Sequence, residues 1–204
     1  MYIQELRRFL REIGDPSNPL LNFCPEFIGK GHFGFVQSKL RRAIQDNRNA
    51  NVEVWIDYDL FARNEKESRT NYLKQLEEKR IRVFHFSHFN FEDFLVLHYG
   101  KKEMNLYRQK FQAKHFQVPL TKEDYLPLYR EIFPDYRKGA LPQGFAVNQT
   151  TLGNLKRNHR ENVRKEHSEN SSPRSDTPEK FPHFADFLLI QFETAYPELY
   201  ESLS

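Results

Sequence analysis

The spacing of apolar positions changes repeatedly along the first part of the chain. In "MYIQELRRFLREIG", Ile3, Leu6, Leu10 and Ile13 recur every three or four residues, with Arg7, Arg8 and Arg11 opposite, which predicts an amphipathic helix. "GDPSNP" ends it. "LLNFCPEFIG" reads as an edge strand, because Pro25 cannot donate to a central ladder. "FGFVQSKLRRAIQDNR" reads as a helix with Val36, Leu40 and Ile44 on one face. "NVEVWIDYD" alternates Val52, Val54 and Ile56 with Asn51, Glu53 and Trp55, the pattern of a strand. A charged helix, "EKESRTNYLKQLEEKR", and a third strand, "IRVFHFS", follow. This alternation predicts an α/β fold, a small parallel sheet with crossover helices.

Beyond Phe91 the pattern is helical: "FEDFLVLHYG", "KKEMNLYRQKFQAKHF", "TKEDYLPLYREIFP" with a kink or interruption expected at Pro127, and "TTLGNLKRNHRENVRKE". Residues 167–181 are polar and rich in Pro and Ser, as in a flexible linker. Residues 182–204 read as a closing amphipathic helix. The expected division is therefore an α/β domain with a helical extension over 1–166, a linker, and that helix.

Composition refines this picture. The 19 Phe and 10 Tyr supply ample core material for a chain of 204 residues. With 29% charged residues and no apolar run near the length of about 20 that spans a bilayer, a cytoplasmic protein is expected. Charges throughout the first helix do not suit a secretory leader. The single Cys24 excludes an internal disulfide. A formal net charge of +3 is too small to decide a partner, so the placement of basic residues matters more.

Three features carry candidate chemistry. "FIGKGHFGFV" places Gly29, Gly31 and Gly34 in a G-x-G-x-x-G pattern before a helix. The strand lysine, H-R-D and D-F-G sequences of a protein kinase do not follow. A dinucleotide loop meets the obstacle of His32 and Phe33 in the turn, and a tight strand-to-helix turn is the simpler reading. The second feature is "WIDYDLF". In a strand, residues two apart share a side, so Asp57 and Asp59 project together at the ligand-binding edge of a parallel sheet. Paired carboxylates repel unless a cation lies between them, and Mg²⁺ favours such oxygen donors. An acidic turn that caps the next helix is the alternative. Glu92 or Asp93 opens the helix after the third strand, which would add a carboxylate at the same edge.

The third feature is basic. Lys156, Arg157, Arg160, Arg164 and Lys165 lie on one predicted helix, and Arg137 and Lys138 adjoin Tyr136. They suit a phosphate backbone, or a solvated helix face. Lys138 suits a role in stabilising transition-state charge. His98 fits a hydrogen-bonded core position more readily than proton transfer. His85 and His88 find no further ligand at zinc spacing.

The order of these parts resembles the RloB-like (AbiL-type) proteins, Toprim-type proteins of bacterial restriction and abortive-infection loci. The resemblance runs from Met1 to about Lys165. It rests on "MYIQELRRFL", "GKGHFGFVQSKLRRAI", "IDYDLF", "NFEDFLVLHY" and "FPDYRKG", with Phe91, Glu92, Leu95, Leu97 and His98 its most specific run. It implies a Toprim-like α/β domain with C-terminal helical additions. It also implies a Mg²⁺- or Mn²⁺-dependent nuclease of anti-phage defence, with metal ligands Asp57, Asp59 and Glu92 and DNA or RNA as substrate. The family's leading strand and Glu precede the first helix and have no counterpart here, so the resemblance extends to a degenerate nuclease. Two other readings remain: a non-catalytic partner of a defence ATPase, and a Rossmann-type nucleotide-binding enzyme using the glycine turn.

Overall fold

A computed structural model describes residues 1–13, 42, 45, 54–57, 84–87, 91–112, 122–168 and 183–203. These residues build a helical body. The helices are α1 (Tyr2–Ile13), α2 (Phe91–Val96), α3 (Lys101–Tyr107), α4 (Lys122–Ile132), α5 (Gln149–Ser168), α6 (Phe184–Ala195) and α7 (Pro197–Ser202). A π-helical segment, Arg108–Gln112, continues α3.

The expected α/β, Toprim-like architecture is overturned. The described strands are β1 (Val54–Asp57) and β2 (Phe84–Ser87), which pair in parallel with Val54 opposite Phe84 and Asp57 opposite Ser87. A single ladder of this length cannot form a core, and among the residues whose burial is described most of the large buried apolar side chains are on helices. The buried cluster runs through Leu6 and Leu10 of α1, Phe94 and Leu95 of α2, Tyr129 of α4, Leu152 and Leu155 of α5, and Leu188 and Phe192 of α6. The alternating pattern of the first ninety residues suggested a sheet, yet the described core is drawn mostly from after residue 90. The edge strand at "LLNFCPEFIG", the glycine turn and the charged helix before β2 lie outside the described residues. So does most of the predicted helix over "FGFVQSKLRRAIQDNR", of which Arg42 and Gln45 are helical.

Helix ends follow local chemistry. Asn148 caps α5: its side-chain oxygen accepts from the Thr151 N–H at 2.9 Å, and its own N–H donates to the Thr151 hydroxyl at 2.9 Å. That reciprocal exchange satisfies donors a helix start leaves unpaired. Pro127 sits within α4, which continues past it, so of the kink or interruption expected there the interruption does not occur. Pro197, rather, divides the predicted closing helix. Tyr196 leaves helical geometry at φ −138° and ψ 64°, and Pro197 opens α7. On α1, Ile13 is exposed, whereas Tyr2 and Phe9 join Ile3, Leu6 and Leu10 in the core.

Helix α5 is tied across the body to the turn that leaves α2. Asn158, 2% exposed, donates to the carbonyls of Leu97 and Tyr99 at 2.9 Å each. Asn154 donates to the His98 carbonyl at 3.1 Å. Backbone acceptors next to a helix end thus find partners despite burial.

Candidate functional site

The parallel register determines which groups share an edge. Asp57 is the last residue of β1 and pairs with Ser87, the last of β2. The chain then enters α2 at Phe91, so Glu92 lies in the first turn of the helix that follows this edge. Asp57 is thus placed at a register position, and Asp59 lies outside the described residues.

Glu92 and Asp93 are both buried, at 5% and 1% exposure. Successive helical positions point about 100° apart, so the two carboxylates meet different partners. Glu92 accepts a hydrogen bond from the Tyr136 hydroxyl. Asp93 accepts from the Tyr107 hydroxyl at 2.8 Å and also from the Tyr129 hydroxyl. Burial pushes the Glu92 carboxyl above its ordinary range, and the neighbouring Asp93 charge adds to this. The Tyr136 hydroxyl, the Glu92 backbone N–H and the positive charge of Lys138 act the other way. Burial likewise pushes the Tyr129 hydroxyl well above its usual value, with the Asp93 charge next in weight.

The segment after α4 brings Tyr136 and Lys138 here. The Tyr136 N–H donates to the Phe133 carbonyl at 2.9 Å, and the Ala140 N–H to the Arg137 carbonyl at 2.9 Å. These turns leave Tyr136 buried and Arg137 and Lys138 exposed. Gly139 takes φ 82°, a left-handed conformation that a side chain disfavours although space for one exists. Lys138 lies where its positive charge reaches Glu92.

The basic residues of α5 are placed differently. Lys156 donates to the carbonyls of Tyr200 at 2.5 Å and Leu203 at 3.1 Å, and lies 4.1 Å from the centre of the Tyr200 ring. Arg160 donates to the Tyr200 hydroxyl at 2.9 Å. Arg157 bonds to the Asn154 side chain within the helix. The side chains of Arg164 and Lys165 lie outside the described residues. Two of the five basic residues expected to face nucleic acid thus hold the end of the chain.

His98 is a satisfied core histidine. Its Nδ1 lies 3.1 Å from the Phe94 carbonyl and its Nε2 2.8 Å from the Tyr2 hydroxyl. Burial lowers its pKa to about 4, so it is neutral near pH 7. Its ring packs edge-on against Phe94 and Tyr2. The sequence reading did not anticipate the Asp93–tyrosine group, whose members lie 14 and 36 positions apart and gave no periodic signal. A second unanticipated group joins α5 to α6. His159 Nε2 is 2.6 Å from an Asp186 carboxylate oxygen, and the His183 ring lies 5.9 Å from the His159 ring. Burial, then the His159 charge, lower His183 to about 4. Burial alone would raise the Asp186 carboxyl, but the hydrogen bond and charge of His159, helped by His183, hold it below its ordinary value.

Among the described residues no group of three or more His, Cys, Asp or Glu side chains gathers around a possible metal position. Of the three expected ligands, Glu92 alone has a described side chain. Its chemistry suits a hard cation, since it is an oxygen donor whose charged form burial disfavours until a positive charge arrives. No described helix is long and apolar enough to cross a membrane. No family model, curated protein or solved structure matches the chain.

Proposed function

We propose that the chain is a divalent-cation-dependent phosphodiesterase acting on nucleic acid. Asp57, Asp59 and Glu92 would hold Mg²⁺ or Mn²⁺, and Lys138 would stabilise negative charge on the phosphate. The observation that carries this reading is the parallel pairing of β1 and β2. Asp57 ends β1 opposite Ser87, α2 begins four residues after Ser87, and the Lys138 charge reaches Glu92 in its first turn. When bound, the cation would polarise the phosphodiester and acidify a water. Glu92 would supply a donor already oriented by the Tyr136 hydroxyl, and burial would strengthen the attraction between its charge and a cation. Lys138 would meet the phosphate from solvent. The setting in anti-phage defence comes from the RloB-like resemblance.

The test uses the full chain with single-stranded DNA and RNA, in Mg²⁺, Mn²⁺ or chelator. The expected result is cation-dependent cleavage that Asp57→Asn lowers by more than the roughly 10–100-fold typical of outer-sphere changes. Mn²⁺ binding followed by electron paramagnetic resonance should weaken in Asp57→Asn and Glu92→Gln. Absence of both cleavage and Mn²⁺ binding sinks the reading.

A second reading is favoured by one observation: Glu92, Lys156 and Arg160 all have partners within the chain. On that view the chain is a non-catalytic interaction protein, such as a partner of a defence ATPase. Co-purification with such an ATPase without nuclease activity would support it.

A further inference from the structure

We infer that α7 is an intramolecular occupant of a polyanion-binding face on α5, displaced when a nucleic-acid strand takes Lys156 and Arg160. The inference rests on the nucleic-acid reading above and adds its regulation. The C-terminal end of α7 offers Lys156 two carbonyl oxygens, those of Tyr200 and Leu203. Carbonyls at a helix end carry partial negative charge, and that of Tyr200 accepts from the Leu203 N–H at 3.3 Å as well. Tyr200 adds a flat ring under Lys156 and a hydroxyl that accepts from Arg160. Oxygen acceptors beside a flat ring are what a single-stranded nucleotide presents to a basic surface. Gln149 closes the contact by donating to the Ser202 hydroxyl at 2.7 Å. The covering segment is acidic as well: α7 carries Glu198 and Glu201, and the charges of Glu201 and Glu193 reach Lys156.

The anchoring differs between the last two helices. Helix α6 is locked into the core by Phe184, Leu188 and Phe192, all at 2% exposure or less. Helix α7 has six residues, and within it only Tyr200 is buried, followed by Leu203 at its cap. The non-helical joint at Tyr196 separates the two. Release of α7 therefore frees Lys156 and the already exposed Arg160 from these contacts, and withdraws Tyr200 and Leu203 from the buried cluster while α6 stays in place.

The test is fluorescence anisotropy of short labelled single-stranded DNA and RNA with the full chain. Tyr200→Ala is expected to tighten binding by roughly tenfold, about 1.4 kcal/mol. Lys156→Gln added to Tyr200→Ala should abolish that gain. Tyr200→Phe keeps the ring and should give a smaller gain. Hydrogen exchange of the wild-type chain gives an independent readout. Saturating oligonucleotide should speed exchange at the Tyr200 and Leu203 amides, which bond to the carbonyls of Tyr196 and Leu199. A folded Tyr200→Ala chain that binds no more tightly than wild type overturns the inference. If that variant fails to fold, unchanged binding by Tyr200→Phe together with unchanged exchange in α7 overturns it. Cleavage assayed in the same samples separates the two ideas. Cation-dependent cleavage without any gain in Tyr200→Ala refutes the covering role alone, and tighter binding without cleavage refutes the enzyme alone.

Discussion

The acidic start of α2 and the Lys156–Arg160 pair on α5 are both charged clusters, and both find partners within the chain. Their partners differ in kind. Glu92 and Asp93 are held by three tyrosine hydroxyls, from Tyr136, Tyr107 and Tyr129, all from residues at 2% exposure or less. Removing one side there strands a buried polar group in low dielectric, where hydrogen bonds are strong and unmade ones are costly. Lys156 and Arg160 are held at the periphery by two carbonyls, a ring and a hydroxyl from the end of the chain. Water or a phosphate can replace those partners at little loss. A few contacts thus build a fixed element in one place and an exchangeable one in the other.

The sharpest break in this comparison is at Asp93. Asp93→Ala leaves the Tyr107 and Tyr129 hydroxyls without their acceptor, and should destabilise by roughly 3 kcal/mol, read from urea unfolding. A loss below about 1 kcal/mol would mean that the acidic end is as replaceable as the basic one.

Acid should act next. His98 has a pKa of about 4 in the fold against an ordinary 6.5. The unfolded chain therefore binds this proton first as pH falls. Stability is intact above about pH 6.5 and declines between there and about 4, by roughly 3 kcal/mol from this group. His183 acts in the same direction. Glu92 acts oppositely: its raised carboxyl adds stability that is full below its unfolded value and lost as pH rises through the folded one. Unfolding at pH 7 and pH 5 should show net acid destabilisation, and His98→Gln should shrink the difference.

Smaller effects belong to the α5 side. Asn148→Ala removes the cap and should lower stability by about 1 kcal/mol in thermal melts. Lys156→Met should change stability by less than about 1 kcal/mol, because its carbonyl partners can turn to water. A Lys156→Met loss as large as that of Asp93→Ala would erase the contrast between the two clusters.

Much local structure was legible. The period of Ile3, Leu6 and Leu10 predicted α1, and the run from Thr150 predicted α5. Alternation in "VEVWID" predicted a strand, and Val54–Asp57 is one. The fold class was not legible, because short-range alternation does not show which elements carry the buried mass. The helix-forming aromatics after residue 90 carry it in the described core. At the candidate site, the sequence singled out Glu92 or Asp93, and Lys138 next to Tyr136, but not the bonding of the two carboxylates to Tyr136, Tyr107 and Tyr129. Those partners come from distant helices, and a carboxylate in a first turn looks the same whether it meets solvent or a hydroxyl.

By itself, the sequence determined the periodicity of individual helices and the stock of acidic and basic groups. These depend on neighbours a few residues apart, whose geometry the backbone sets. Only the tertiary structure decided that Glu92 and Asp93 face inward to tyrosines and that Lys156 and Arg160 face the end of the chain. The reason is desolvation: a charge's role depends on what surrounds it once water has left, and those surroundings are assembled from segments far apart in the chain.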